Sequence, residues 1–107
     1  MRIAAKIDAN QNEIVKSLRQ VGCTVQSLAS TGKGVPDLLI GFRGHNLLFE
    51  VKDGAKPKSA RKLTPDQVVW HEQWNGEVYV VESVDQALEI INELRRVRYE
   101  DFNAWRG

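Results

Sequence analysis

The chain has little of what marks a secreted, membrane-bound or thiolate-cluster protein. It contains a single cysteine, Cys23, so an intrachain disulfide cannot form and a thiolate metal site has no second ligand. No apolar run approaches the roughly 20 residues that cross a bilayer, and the first residues lack the apolar stretch of a secretory signal. We therefore expect a cytoplasmic protein without a membrane association, in which Cys23 is a small apolar strand residue.

A strong net charge is also missing. The formal charge is +1, from 15 basic and 14 acidic residues, and this balance alone neither favours nor excludes a nucleic-acid partner. The basic residues are nevertheless concentrated in residues 51–62, which contain Lys52, Lys56, Lys58, Arg61 and Lys62 against one acid, Asp53. We expect this segment to be a mobile loop that contacts DNA phosphates, although a solvated linker would have the same composition.

Internal repeats, low-complexity segments and a nucleotide-binding loop are absent as well. With 42% hydrophobic residues the chain can form one core, and we expect one domain over residues 1–107, with its core at about 8–95 and a tail at 96–107. Residues 30–34, Ser-Thr-Gly-Lys-Gly, lack the Lys-Ser/Thr ending and the following helix of a Walker loop, which excludes a nucleotide triphosphatase. Lys33 in this segment could still approach a phosphate.

The chain does contain a clear β-hairpin signal between Asp37 and Lys52. Residues 43–46, Arg-Gly-His-Asn, separate two apolar runs, and a two-residue loop at Gly44 and His45 predicts a type II′ turn. That register places Asp37 directly opposite Lys52, and a four-residue loop would keep the same register.

The two faces of this hairpin differ in polarity. Side chains alternate along each strand, so one face is apolar throughout and belongs in the core: Leu38, Ile40, Phe42, Leu47, Phe49 and Val51. The other face gathers Asp37, Glu50 and Lys52 at one end, which we expect to lie at a solvent-exposed margin of the sheet. A slip of one residue would turn both acids toward the core, which burial disfavours.

Two carboxylates at one end of a hairpin can share a cation. Diagonal neighbours lie about 7–8 Å apart at the backbone, so Asp37 and Glu50 can both reach an ion between them, and oxygen ligands suit Mg²⁺ or Mn²⁺. Lys52 could hold a water or neutralise charge on a phosphate. These groups suffice for metal-assisted phosphodiester hydrolysis, although an exposed hairpin end with a solvated salt bridge would carry the same residues.

The surrounding motifs extend this pattern. Together, Gly34-Val-Pro-Asp37, Phe49-Glu50-Val-Lys52, Glu13 on a predicted helix and Leu63-Thr-Pro-Asp-Gln67 resemble the PD-(D/E)xK nuclease superfamily. They more closely resemble its virus-type replication-repair nuclease (VRR-NUC) family in the small stand-alone form. The resemblance covers residues 10–91. It implies a restriction-endonuclease-like α/β fold, in which a mixed four-stranded sheet is flanked by helices in the order αβββαβα.

The resemblance also implies an activity. It predicts a metal-dependent DNA endonuclease with Mg²⁺ or Mn²⁺ as cofactor, selective for branched DNA like a Holliday-junction resolvase. It further implies a homodimer that works with replication or repair proteins, and a phage-encoded member would act in the cytoplasm of its bacterial host. The alternative that the residues leave open is a non-catalytic DNA-binding module of the same fold.

Roles for individual residues follow from the resemblance. Asp37 and Glu50 would ligate the metal, the Val51 carbonyl would be a third ligand, and Glu13 would contribute through water. Lys52 would position the attacking water and stabilise the transition state. Glu13 could instead be a solvent-facing acid at the edge of its helix.

Gln67 and His71 have competing interpretations. Residues 64–67, Thr-Pro-Asp-Gln, form a predicted capping box in which Gln67 bonds the backbone at the start of a helix. The matching glutamine of the resembled nucleases lies near the active site, and we expect the two roles to coexist only in part. We interpret His71 as a packing or surface residue rather than a general base.

The remaining elements follow from periodicity and turn signals. Asp8 to Val21 predicts a helix, Thr24–Leu28 and Glu77–Glu82 predict strands, and Ser83 caps a final amphipathic helix. The tail beyond it carries three aromatic residues that would pack on the domain or contact a partner: Tyr99, Phe102 and Trp105.

Overall fold

The predicted order of helices and strands is confirmed. The structure is a computed structural model that describes residues 7–106 and, among these, the side chains of residues 7–96. Its elements are α1 (Gln11–Gln20), β1 (Thr24–Ser27), β2 (Leu38–Phe42), β3 (His45–Val51), α2 (Pro65–Gln73), β4 (Val78–Val81) and α3 (Val84–Arg106). A short 3₁₀ helix, Lys58–Ala60, lies between β3 and α2.

The four strands form one mixed sheet, as expected. Their spatial order is β1-β2-β3-β4, with antiparallel pairing of β1 to β2 and of β2 to β3, and parallel pairing of β3 to β4. Parallel neighbours need a crossover connection, and the basic loop with α2 supplies it. The crossover therefore brings α2 back across the sheet beside the end of β3.

The predicted hairpin register is wrong by two residues. The structure pairs Phe42 with His45, so the loop is Arg43 and Gly44, with φ angles of 48° and 84°. Two consecutive positive φ angles are typical of a type I′ turn, whose twist matches the right-handed twist of the strands. The type II′ expectation rested on Gly44 at the first loop position. It failed because Arg43 adopts the left-handed conformation that few non-glycine residues take.

The core lies on the face of the hairpin that the alternation pattern predicts. A shift of two residues preserves the face of every side chain, and all six apolar residues named above are at most 5% exposed. Helices α1 and α3 cover this face through Ile14 and Leu18 of α1 and Ala87 and Ile91 of α3. Phe49 also meets Tyr79 of β4 edge-on, with ring centroids 6.0 Å apart.

The opposite face is not the solvent-exposed margin that we expected. Glu50 is 1% exposed and Lys52 is 9% exposed, because residues at the start of α2 contact both side chains. Burial of an acid and an amine is costly unless each finds a partner. Glu50 and Lys52 at the charged end of the hairpin therefore form an interior cluster. Their hydrogen-bond and charge partners determine whether each side chain is charged.

The terminal helices differ in length from the expectation. Helix α1 begins at Gln11 rather than Asp8, and α3 continues through Arg106 across the segment that we predicted to be a tail. The side chains of Tyr99, Phe102 and Trp105 lie outside the described residues. Within the part of the chain that the structure describes, no helix is long and apolar enough to span a membrane.

Candidate active site

The carboxylate of Asp37 is attached to the end of β3. Asp37 lies just before β2, and its Oδ2 accepts a hydrogen bond from the Val51 N–H at 2.7 Å. This contact continues the β2–β3 pairing beyond the last ladder pair, Leu38 with Phe49. The N–H and C=O of one strand residue point to the same edge, so the Val51 carbonyl is directed toward the side on which Asp37 lies.

The neighbouring Glu50 is an acid that holds its proton. Burial is the largest cause, followed by a hydrogen bond with the Asp37 carboxyl and by the negative charge of Asp37, and together they raise the pKa of Glu50 to about 9. The positive charge of Lys52 opposes this rise. A second negative charge beside a carboxyl group in a poorly solvated place is unfavourable, so the raised pKa of Glu50 marks a position where added positive charge would be stabilised.

One side-chain amide joins the start of α2 to this cluster. Oε1 of Gln67 accepts hydrogen bonds from the Thr64 N–H and from Lys52 Nζ, both at 2.9 Å. Its Nε2 donates to Glu50 Oε2 at 3.1 Å, and Thr64 closes the capping box by accepting from the Gln67 N–H. The two roles of Gln67 coexist fully, because a carbonyl oxygen accepts two hydrogen bonds while the amide nitrogen donates separately.

These groups line a cleft of about 380 Å³. One wall is the loop before β2, and the other is the basic loop with the start of α2. Gly34 makes the first wall possible. Its φ is +81°, and a Cβ placed there would lie 2.3 Å from the Asp66 carbonyl oxygen. Only glycine allows this loop to approach the first turn of α2 so closely.

Two further acids, Asp8 and Asp66, line the cleft with Asp37 and Glu50. The charge of Asp8 contributes to the raised pKa of Glu50. Nearby, Asn10 Nδ2 donates to the Lys52 and Glu82 carbonyls at 3.1 and 3.0 Å, which holds the start of α1 against the ends of β3 and β4.

Glu13, by contrast, is exposed and lines a separate pocket with Asp53, Arg61 and Glu82. The structure does not bring Glu13 together with Asp37.

The donor set suits a hard divalent cation. Among the described residues, no group of three or more His, Cys, Asp or Glu side chains is arranged to hold a metal ion. The oxygens present near one another are the carboxylates of Asp37 and Glu50 and the Val51 carbonyl, and Glu50 Oε1 is buried and receives no hydrogen bond within the described residues. Carboxylate and carbonyl oxygens are the ligands that Mg²⁺ and Mn²⁺ prefer.

Comparison with known proteins agrees with this geometry. Among solved structures the chain is similar to one described as a VRR_NUC domain, with 31% sequence identity and a TM-score of 0.60. The match covers 77% of this chain and 89% of that one. This chain belongs to the VRR-NUC family. No family model matches the chain, and no curated protein matches it. Family membership implies a nuclease-type function with DNA as the partner.

In this VRR-NUC domain the predicted DNA-contacting residues differ in their surroundings. Lys33, Lys58 and Lys62 are exposed. Lys56 lines the cleft and lies 3.7 Å from Asp8, whereas Arg61 donates to Glu82 Oε2 at 2.9 Å and is engaged within the domain.

Sequence reasoning did not place Asp8 or His71 near Glu50. It predicted Asp8 as the start of α1 and His71 as a packing or surface residue, yet His71 Nε2 lies 3.6 Å from Glu50 Oε1. The only sequence signal for His71 is its position four residues after Gln67, on the same side of α2. No local pattern distinguishes Asp8, because its proximity to Glu50 depends on how α1 packs.

Proposed function

We propose that this VRR-NUC domain is a Mg²⁺- or Mn²⁺-dependent DNA endonuclease. The observation that carries the proposal is the buried Glu50 carboxyl group beside Asp37, where burial and the charge of Asp37 raise the pKa of Glu50 and a cation would offset both effects. Asp37, Glu50 and the Val51 carbonyl would hold the ion. When bound, the cation supplies positive charge at the scissile phosphate and makes water a better nucleophile at neutral pH.

The residues around the pair have distinct tasks. The Lys52 ammonium donates to Gln67 Oε1 and its charge acts on Glu50, and in this position it can orient the attacking water and stabilise the extra negative charge of the transition state. Gln67 fixes Lys52 and Glu50 relative to each other through its two hydrogen bonds. Because Gln67 is itself held by the capping box, the first turn of α2 sets the geometry of the reacting groups.

The substrate would enter along the basic loop. Lys56 at the cleft, with the exposed Lys33, Lys58 and Lys62 around it, offers positive charge to the phosphates that flank the scissile bond. Phosphate contacts of this kind position a duplex without reading its sequence. Arg61 attaches the basic loop to the domain through its hydrogen bond to Glu82. Its positive charge would also attract DNA toward the cleft.

We extend the proposal to a homodimer that selects branched DNA. Four large apolar side chains of α2, its C-terminal flank and β4 are between 39% and 52% exposed: Val68, Val69, Trp74 and Val80. Exposed apolar surface of this kind supports a protein contact, and two copies would present two clefts to the arms of a junction. Analytical ultracentrifugation of the wild-type protein measures whether it is a monomer or a dimer.

The proposal is tested by cleavage of junction, flap, nicked, linear and single-stranded DNA with Mg²⁺, Mn²⁺ or EDTA. We expect cleavage only with a cation, and cleavage at the level of a blank for Asp37→Asn. The exposed acid Glu89, changed to glutamine, is the matched control and should leave the rate unchanged. DNA binding that ignores EDTA, with no cleavage of any substrate, would contradict the proposal and support the non-catalytic module.

A comparison of Asp8 and Glu13 tests which acid on the α1 side serves the site. We expect Asp8→Asn to weaken Mn²⁺ binding and slow cleavage by about tenfold or more, because Asp8 shares the cleft with Glu50. Glu13→Gln should have little effect, since its side chain lies in a different pocket. Isothermal titration calorimetry and initial rates measure both. If Glu13→Gln reduced Mn²⁺ binding and cleavage more than Asp8→Asn, Glu13 would be the acid that contributes to the site through water.

A further inference from the structure

One buried pair of atoms near the cleft has no use in the mechanism described so far. Glu50 Oε1 and His71 Nε2 are both buried, and neither makes a hydrogen bond within the described residues. They face each other at 3.6 Å, beyond hydrogen-bond distance. Leaving buried polar atoms unpaired is unfavourable, so a small approach of the two side chains is favourable.

The position of His71 suits contact with Glu50. It follows Gln67 by four residues, so both side chains project from one side of α2, and they approach the two oxygens of the same carboxyl group. The His71 side chain is 14% exposed and does not line the cleft. Its ring meets Trp70 edge-on at 6.1 Å, and Trp70 stacks on Trp74 at 4.6 Å.

We propose that His71 is a positioning residue that holds Oε1 of Glu50 while Gln67 holds Oε2. Each neighbour donates one hydrogen bond to a different oxygen, which fixes the plane of the carboxylate and leaves its remaining lone pairs directed toward the cleft. The Nε2 atom is the ring nitrogen that faces Glu50 Oε1, so the imidazole donates through an Nε2–H. This inference rests on the proposed function, because it assigns a role in preparing Glu50 for a cation.

The test compares His71→Leu, which removes the donor, with His71→Gln, which keeps an N–H donor at similar length. Mn²⁺ binding to the intact protein is measured by calorimetry without DNA, and kcat and KM are measured separately. We expect His71→Leu to lower Mn²⁺ affinity and kcat by roughly 10- to 100-fold with KM for DNA unchanged. His71→Gln should recover most of both losses, and Glu72→Gln, an exposed neighbour on α2, should match wild type.

The outcomes separate this inference from the proposed function. Wild-type protein that neither binds Mn²⁺ nor cleaves DNA would overturn the proposed function. Normal wild-type behaviour with an unchanged His71→Leu variant would overturn only the role of His71. Equal losses in His71→Leu and His71→Gln would also overturn it, since shape rather than a donor would then matter. If His71→Leu does not fold, His71→Met at matched melting temperature replaces it.

Discussion

Replacing Glu50 by glutamine is expected to abolish cation binding and DNA cleavage while making the metal-free protein more stable above about pH 5. Glutamine has the shape of the protonated acid that the fold buries. Its carbonyl oxygen can accept from Gln67 Nε2 as Glu50 Oε2 does, and its amide is neutral, as the protonated acid is. The variant keeps the packing of the site and loses the charge on which the cation depends.

The sign of the stability change follows from the pKa of Glu50. In the folded protein, burial raises this pKa most and the hydrogen bond and charge of Asp37 raise it further, from 4.5 to about 9. In the unfolded chain the pKa stays near its ordinary value. Between these two values the folded protein holds a proton that the unfolded chain releases. The free energy of unfolding of wild type therefore falls as pH rises from about 5 to about 9, at most by about 1.4 kcal/mol per pH unit. Glu50→Gln has no such proton and should lack this slope.

The measurement is chemical denaturation of both proteins in EDTA at several pH values. The stability advantage of Glu50→Gln should be small near pH 5 and should grow toward pH 9. Addition of Mn²⁺ should stabilise wild type by mass action and leave the variant unchanged. Parallel pH profiles for the two proteins would show that Glu50 is ionised in the metal-free fold, and the argument from its raised pKa would then fail.

Lys52→Met is expected to slow cleavage by roughly 10²–10³-fold, a typical cost of removing one preorganised charge or donor from a reacting centre. Cation binding should survive. The Lys52 ammonium donates to Gln67 Oε1 at 2.9 Å and is no ligand, and its removal takes a positive charge away from the place where the cation binds. Methionine fills a similar volume, and the Thr64 N–H still occupies Gln67 Oε1, so the cap of α2 should persist.

Rates and Mn²⁺ titrations together distinguish this variant from Glu50→Gln. A loss of kcat with retained Mn²⁺ binding supports a role for Lys52 in the reaction itself. Lys52→Arg should not restore the rate, because a planar guanidinium cannot take the position of a compact ammonium in a buried cluster. If Lys52→Met loses Mn²⁺ binding along with activity, the residue serves the cation site rather than the chemistry.

Local patterns were sufficient for most of the fold. The alternation of apolar residues from Leu38 to Val51 predicted which face is buried, and a register error of two residues left that prediction intact because side-chain direction repeats every two residues. Thr64 to Gln67 predicted the start of α2, and the capping box is present. These features depend on neighbours within a few positions, so they can be read from the chain.

The hairpin loop shows where local reasoning stopped. Gly44 supports more than one two-residue turn, and the choice depended on whether Arg43 would accept a positive φ. That choice moved Lys52 away from Asp37 and brought the Val51 N–H to the Asp37 carboxylate. Turn type is decided by the twist of the whole sheet, so the residues of the loop did not settle it.

The sequence by itself determined the order of elements, the buried face of the hairpin, and the chemical types of the groups near its charged end. Only the tertiary structure decided that α2 covers Glu50 and Lys52, that Asp8 rather than Glu13 shares their cleft, and that His71 faces Glu50. The physical reason is distance along the chain. Contacts between residues four positions apart follow from helix geometry, whereas contacts between α1, β3 and α2 depend on how separately formed elements pack.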